Sequence, residues 1–104
     1  MLTRDAAITT VKNYAREIRD SGLNLQKVIL YGSFAKGTQH EWSDIDVALV
    51  ADEFKGLPTD HRYFSRIGIK QPYIRIETNT YPTKYFKKGD PFIDEIKKTG
   101  IEIV

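Results

Sequence analysis

The chain has no cysteine. That rules out a disulfide framework and any thiolate metal site, and it is compatible with a reducing cytoplasm as the expected location. Long apolar runs are also missing: nothing approaches the roughly 20 residues needed to cross a bilayer. Arg4 and Asp5 stand near the start with no continuous apolar segment around them, so no signal peptide is visible. Charge of one sign is scarce. Sixteen Lys and Arg against fourteen Asp and Glu leave +2, too little to argue for nucleic acid. There is no internal repeat and no low-complexity linker. The 104 residues are expected to form one domain over 1–104, long enough for a core without staples.

What is there centres on one stretch, Val28 to Val50. Val28-Ile29-Leu30-Tyr31 is a short apolar run stopped by Gly32, as expected of a buried strand. Gly32-Ser33 turns the chain, and Gly32 leaves room for a ligand to come close. A short helical turn and a polar loop follow. Asp44-Ile45-Asp46-Val47-Ala48-Leu49-Val50 then begins by alternating and ends apolar. Side chains two apart on a strand share a face, so Asp44 and Asp46 lie side by side while Ile45 and Val47 point into the core. Two such carboxylates repel unless a cation sits between them. Oxygen ligands on a stiff frame suit Mg²⁺, usually held by one or two carboxylates plus substrate phosphates. The Gly32-Ser33 turn offers backbone N–H groups and a hydroxyl to those phosphates. The parts add up to a metal–nucleoside triphosphate site. Lys36 lies just beyond the turn, where it could approach a phosphate or simply be solvated.

Two look-alikes fail. A P-loop needs Gly-Lys-Ser/Thr in that order, and here Lys36 precedes Gly37. A calcium loop starting at Asp44 needs glycine sixth and glutamate twelfth; Leu49 and Lys55 stand there.

Along the rest of the chain, Thr3 is placed to cap a helix over about Arg4–Ser21, with Ala7, Ile8, Val11, Tyr14, Ala15 and Ile18 at helical spacing and Gly22 as its stop. Its polar face carries Lys12, Arg16, Glu17 and Arg19. Trp42 is expected to pack under its loop, the alternative being to stack on a base; His40 reads as exposed polar loop. Residues 51–60 read as loop. Thr59 or Asp60 is expected to cap a short helix through Ile67, with His61 and Arg62 as a solvated pair at its start, the alternative being that they face the site. Pro72 opens a strand over Tyr73–Thr78, with Ile74 and Ile76 on one side and Tyr73, Arg75 and Glu77 on the other. Residues 81–89 and 90–100 read as two short helices, each with Pro near its start and Gly at its end. Residues 101–104 form a last short strand or tail. The lysines of this half (Lys84, Lys87, Lys88, Lys97, Lys98) are diluted by Asp90, Asp94 and Glu95 and read as a solvated face.

Gly32-Ser33, ten residues, then Asp44-x-Asp46 resembles the signature of the DNA polymerase β-like nucleotidyltransferase superfamily. Within it, G-S-F-A-K-G-T followed by S-D-I-D-V-A-L-V is similar to the minimal nucleotidyltransferases of the MntA antitoxin type, as is Y-F-K-K-G-D-P-F-I-D-E-I near the C-terminus. The resemblance implies an α/β (α+β) fold, the polymerase β-like palm: a small mixed sheet with helices packed on it. It implies a third acidic residue on a strand beside the D-x-D strand. Glu77 is the acidic residue available there, although aspartate is commoner in the superfamily; otherwise Glu77 pairs with Arg75 on the surface.

The activity implied is transfer of a nucleoside monophosphate, by default AMP from ATP. Asp44, Asp46 and Glu77 would be the catalytic residues and ligands of two Mg²⁺ ions. Gly32, Ser33 and Lys36 would bind the triphosphate. No segment is left over to hold the acceptor, so a second protein supplies that surface, or the chain self-associates, or both. In the family resembled, the transferase adenylylates a tyrosine hydroxyl of a helical HEPN-type toxin. Two alternatives stay open: a non-catalytic module of the same fold that neutralises its partner by binding, and a small-molecule (antibiotic) nucleotidyltransferase. Membrane is excluded as a partner and nucleic acid is not expected.

Overall fold

The computed structural model describes residues 2–104. Helix α1 (Arg4–Asp20) begins where Thr3 Oγ1 accepts the N–H of Ala6 at 3.1 Å, a side-chain cap for a helical donor that otherwise has no partner. Its inward stripe is Ala7, Val11, Tyr14, Ala15 and Ile18, all buried. Strand β1 (Lys27–Tyr31) follows, then the four-residue helix α2 (Ser33–Lys36) and strand β2 (Ile45–Ala51). After the irregular crossover 52–75 come strand β3 (Ile76–Pro82), helices α4 (Thr83–Lys88) and α5 (Pro91–Thr99), and strand β4 (Ile101–Glu102). The crossover carries 3₁₀ turns at Pro58–Tyr63 and Gln71–Tyr73 and a single helical turn, α3 (Ser65–Gly68).

The strands make one mixed sheet in the order β3-β2-β1-β4. β1 runs antiparallel to β2 and to β4, whereas β2 and β3 are parallel. A parallel pair needs a long connection, and residues 52–75 supply it. Each face of the sheet has its own apolar cluster. Val28, Leu30, Ile45, Val47 and Leu49 meet α1 on one face. Ile29, Ala48 and Val50 meet Phe86 of α4 and Ile93 and Ile96 of α5 on the other. Strand alternation decides the rest: Asp46 shares the second face with Ala48 and Val50. The expected mixed sheet with helices packed on it is what forms.

Several expectations about the crossover do not hold. The third strand starts at Ile76 rather than Tyr73. Tyr73 is buried in a 3₁₀ turn, its hydroxyl donating to Glu17 and its ring 5.2 Å from Tyr14. That anchorage to α1 holds residues 71–74 off the sheet and leaves Ile74 exposed. The strand in turn runs on to Pro82, where the sequence suggested a helix from Tyr81. Nor does Asp60 cap a downstream helix. Its carboxylate is buried and accepts the N–H groups of Lys55, Gly56 and Leu57 upstream, with Thr80 Oγ1 donating at 2.7 Å. A buried carboxylate needs such donors, and here they tie the start of the crossover to β3.

Candidate active site

Asp46 sits opposite Tyr31 of β1 and opposite Glu77 of β3 in the sheet register. Parallel register therefore brings Glu77 beside the D-x-D strand. Asp44 precedes β2 and is exposed; Asp46 is half-buried; Glu77 is exposed. Asp46 and Glu77 lie on the second sheet face beside Tyr31, against whose ring Phe92 of α5 packs edge-on with centres 6.0 Å apart.

The electrostatics follow from this crowding. Partial burial and the Asp44 charge push the Asp46 carboxyl above its ordinary 3.8. Glu77 is raised above 4.5, first by a hydrogen bond to the Asp44 carboxyl, then by the charges of Asp44 and Asp46. These are mutually opposed, oxygen-only groups on a rigid sheet, a donor set that fits a hard divalent cation. Among the described residues no three His, Cys, Asp or Glu side chains close into a ready-made metal cage. The fit is to an open site, completed by ligands that the substrate would bring.

Gly32 opens α2 with φ +73°, in the left-handed region that favours glycine. A Cβ built there would lie 2.2 Å from Oδ2 of Asp46. On its Cα side Gly32 is therefore packed against the carboxylate of Asp46. Ser33 stands half-buried at the first position of α2, whose N-terminus has no side-chain cap. Lys36, in the last position of that turn, extends toward α5, with Nζ 3.8 Å from Glu95 Oε1 and both groups exposed.

Arg75 does not pair with Glu77. Its guanidinium donates to the carbonyls of Ser43 and, at 3.2 Å, Glu41. This clasps the loop before Asp44 to the start of β3. Inside that loop the Ser43 hydroxyl accepts the N–H of His40 at 2.9 Å. Trp42 is 82% exposed, so the expected packing under the loop is wrong: the turn is closed by polar bonds, leaving the indole no apolar bed. His40 and the pair His61 and Arg62 are exposed, as read.

The sequence reading passed over Tyr31 and Asn79. Asn79 lies two residues beyond Glu77 and donates to the Tyr31 hydroxyl. Burial raises the Tyr31 pKa and the Asn79 bond lowers it, while Asp46 and Glu77 raise it again. Period-two alternation from Ile29 and Glu77 would have placed both on the site face.

The nucleotidyltransferase domain model matches residues 11–103. A Methanocaldococcus jannaschii protein named as a candidate protein adenylyltransferase, MJ0141, is 35% identical over 89 residues, covering 76% of this chain and 79% of that protein. The protein adenylyltransferase MntA of Shewanella oneidensis is 50% identical over 34 residues, 33% of this chain and 24% of its own. Among solved structures, a candidate nucleotidyltransferase from Sulfolobus solfataricus superposes with TM-score 0.67 at 22% identity, over 95% of this chain and 80% of that one. A toxin–antitoxin crystallised with AMP-PNP superposes with TM-score 0.63 at 20% identity, over 89% and 72%. With the Gly-Ser turn, the D-x-D strand and the parallel neighbour in place, the chain belongs to the nucleotidyltransferase domain family and is a minimal nucleotidyltransferase of the DNA polymerase β-like superfamily.

Proposed function

We propose that residues 1–104 act as one nucleotidyltransferase domain that moves AMP from ATP to a hydroxyl of a partner protein in the cytoplasm. The observation that carries this reading is the register of Asp46 against Glu77, with Asp44 two residues before Asp46, immediately ahead of the same strand. Asp44, Asp46 and Glu77 would hold Mg²⁺. The metal would supply positive charge to the phosphates and acidify the acceptor hydroxyl. Gly32 keeps the backbone thin enough for the Asp46 carboxylate to lie against it. Ser33 and the uncapped turn of α2 would face the β- and γ-phosphates, and Lys36 would leave its loose pair with Glu95 to join them.

The acceptor oxygen attacks the α-phosphorus, the bond to the bridging oxygen breaks, and pyrophosphate leaves. The acceptor proton would pass to Glu77, the carboxylate that β3 sets beside Asp46. Two relatives named for protein adenylylation support a protein acceptor. The family resemblance makes a HEPN-type toxin, through a tyrosine, the first acceptor to try.

The test is label transfer. The chain is incubated with α-labelled ATP and Mg²⁺ in lysate of its source cell, beside the Asp44→Asn/Asp46→Asn double variant. A labelled protein band made by the intact chain alone is the expected result. Label confined to small molecules would point instead to antibiotic-type chemistry. Absence of label, with neutralisation of a partner retained by the double variant, would replace catalysis by complex formation.

A further inference from the structure

Away from the carboxylates, α4 and α5 leave a groove against β1. It encloses a cavity of about 310 Å³, lined by Lys27, Lys87 and Lys97 around Val50, Phe86 and Thr83. A second hollow of about 180 Å³ shares Lys27, Phe86 and Lys97. Val50 and Phe86 lie buried beneath it, so the apolar surface that faces the groove is chiefly the aliphatic stems of the lining side chains. The rim is cationic. Lys27 is paired with Glu102 at 2.7 Å, but neither Lys87 nor Lys97 has a carboxylate within 4.0 Å among the described residues. The Lys97 ammonium stands over the Phe86 ring, 5.0 Å from its centre. Thr83, on the same wall, keeps a buried hydroxyl oxygen with no hydrogen-bond partner. Unpaired cations on aliphatic stems match an anionic ligand that also carries an apolar group.

Position separates this groove from the chemistry. Lys27 pairs with Val50 at one end of β1, and Tyr31 with Asp46 at the other. Four residue steps along the strand separate them, roughly 13 Å at about 3.3 Å per step. A small molecule confined to it would not touch Glu77. A protein holding on here would leave the carboxylates open.

We infer that this groove is an exosite for an acidic segment of the acceptor protein, a short run of Asp or Glu around one aromatic or aliphatic anchor. The occupant's identity rests on the protein-modifying reading above; the binding does not. The carboxylates pair with Lys87 and Lys97, and the anchor lies in the hollow between the stems of Lys27, Lys87 and Lys97. Docking so holds the acceptor at high local concentration while its hydroxyl searches for the site.

The probe is a fluorescein-labelled peptide with one phenylalanine among glutamates, read by anisotropy on the full chain. The wild type is expected to bind it, more weakly as salt rises. Lys87→Glu/Lys97→Glu should weaken binding about 10-fold or more, and a Phe→Gly peptide should also bind less well. Asp46→Asn should bind normally. Because Lys97 rests on Phe86, Lys87→Glu alone is the variant to read should the double variant melt early. Equal binding to wild type and charge-reversed chains would overturn the inference. So would equal binding of the Phe→Gly peptide, or displacement of the probe by inorganic phosphate or AMP at matched ionic strength. In the label-transfer assay the charge-reversed chain should modify its acceptor more slowly at unchanged thermal stabilisation by ATP. If the wild type labels no protein, it is the transferase reading that fails, while the peptide result stands alone.

Discussion

A methyl group on Gly32 would place a carbon 2.2 Å from Oδ2 of Asp46, inside any tolerable contact. The Gly-Ser turn and the D-x-D strand are therefore one steric unit. Gly32→Ala would also force an L-residue to φ +73°, and strain of that kind costs on the order of 1–3 kcal/mol. The expected outcome is a lower Tm together with loss of label transfer, because Asp46 must move. A Gly32→Ala chain with full transfer would show that the two elements are independent.

Asp46→Asn should remove transfer and leave the fold at least as stable. Burial and the Asp44 charge both disfavour ionised Asp46, so its pKa is raised. A raised carboxyl contributes stability that is present below its ordinary 3.8 and lost as pH rises through the higher folded value. Glu77 behaves alike from 4.5 upward. Wild type and Asp46→Asn should thus melt together at about pH 4, with the variant gaining by about pH 7. Added Mg²⁺ should narrow that gap by stabilising the wild type alone. A gap that opened instead toward acid would contradict the charge argument.

Asp60 has the opposite sign. Burial raises its pKa, but the bonds from Thr80 and from three backbone N–H groups prevail and hold it below 3.8. Its stabilisation is present above 3.8 and disappears as pH falls through the lower folded value. Asp60→Ala leaves those donors unmet and should cost about 3 kcal/mol at neutral pH. That corresponds to a Tm lower by roughly 12 °C or more. A melting curve within about 2 °C of wild type would show that water replaces the carboxylate.

Trp42, two residues before Asp44, is the one tryptophan in the chain. Since it is 82% exposed, Trp42→Ala should change stability by less than about 0.5 kcal/mol. Its fluorescence should be readily quenched by acrylamide, less so with Mg²⁺ and ATP present, and unaffected by ATP in Asp44→Asn. Strong protection in the free chain would mean that the indole is packed after all.

The sequence by itself determined the local grammar. Thr3 before an apolar stripe specifies α1; Asp90-Pro91 before Ile93 and Ile96 specifies α5, where Asp90 does accept the Ile93 N–H at 2.8 Å, although Phe92, expected inward with them, is exposed. Gly32-Ser33 and Asp44-x-Asp46 marked the site because short-range sterics and alternation act within a few residues. Tertiary structure decided what depends on partners distant in the chain. Tyr73 leaves the strand pattern because Tyr14 and Glu17, more than fifty residues earlier, offer a better place for its ring and hydroxyl. Asp60 turns back to Lys55, Gly56 and Leu57 because Thr80 of β3 seals it in. Arg75 chooses carbonyls of the Asp44 loop over its same-face neighbour Glu77. Above all, the pairing of Asp46 with Glu77 is a matter of register. Register arises from burial summed over whole strands, so no stretch of residues near either acid could announce it.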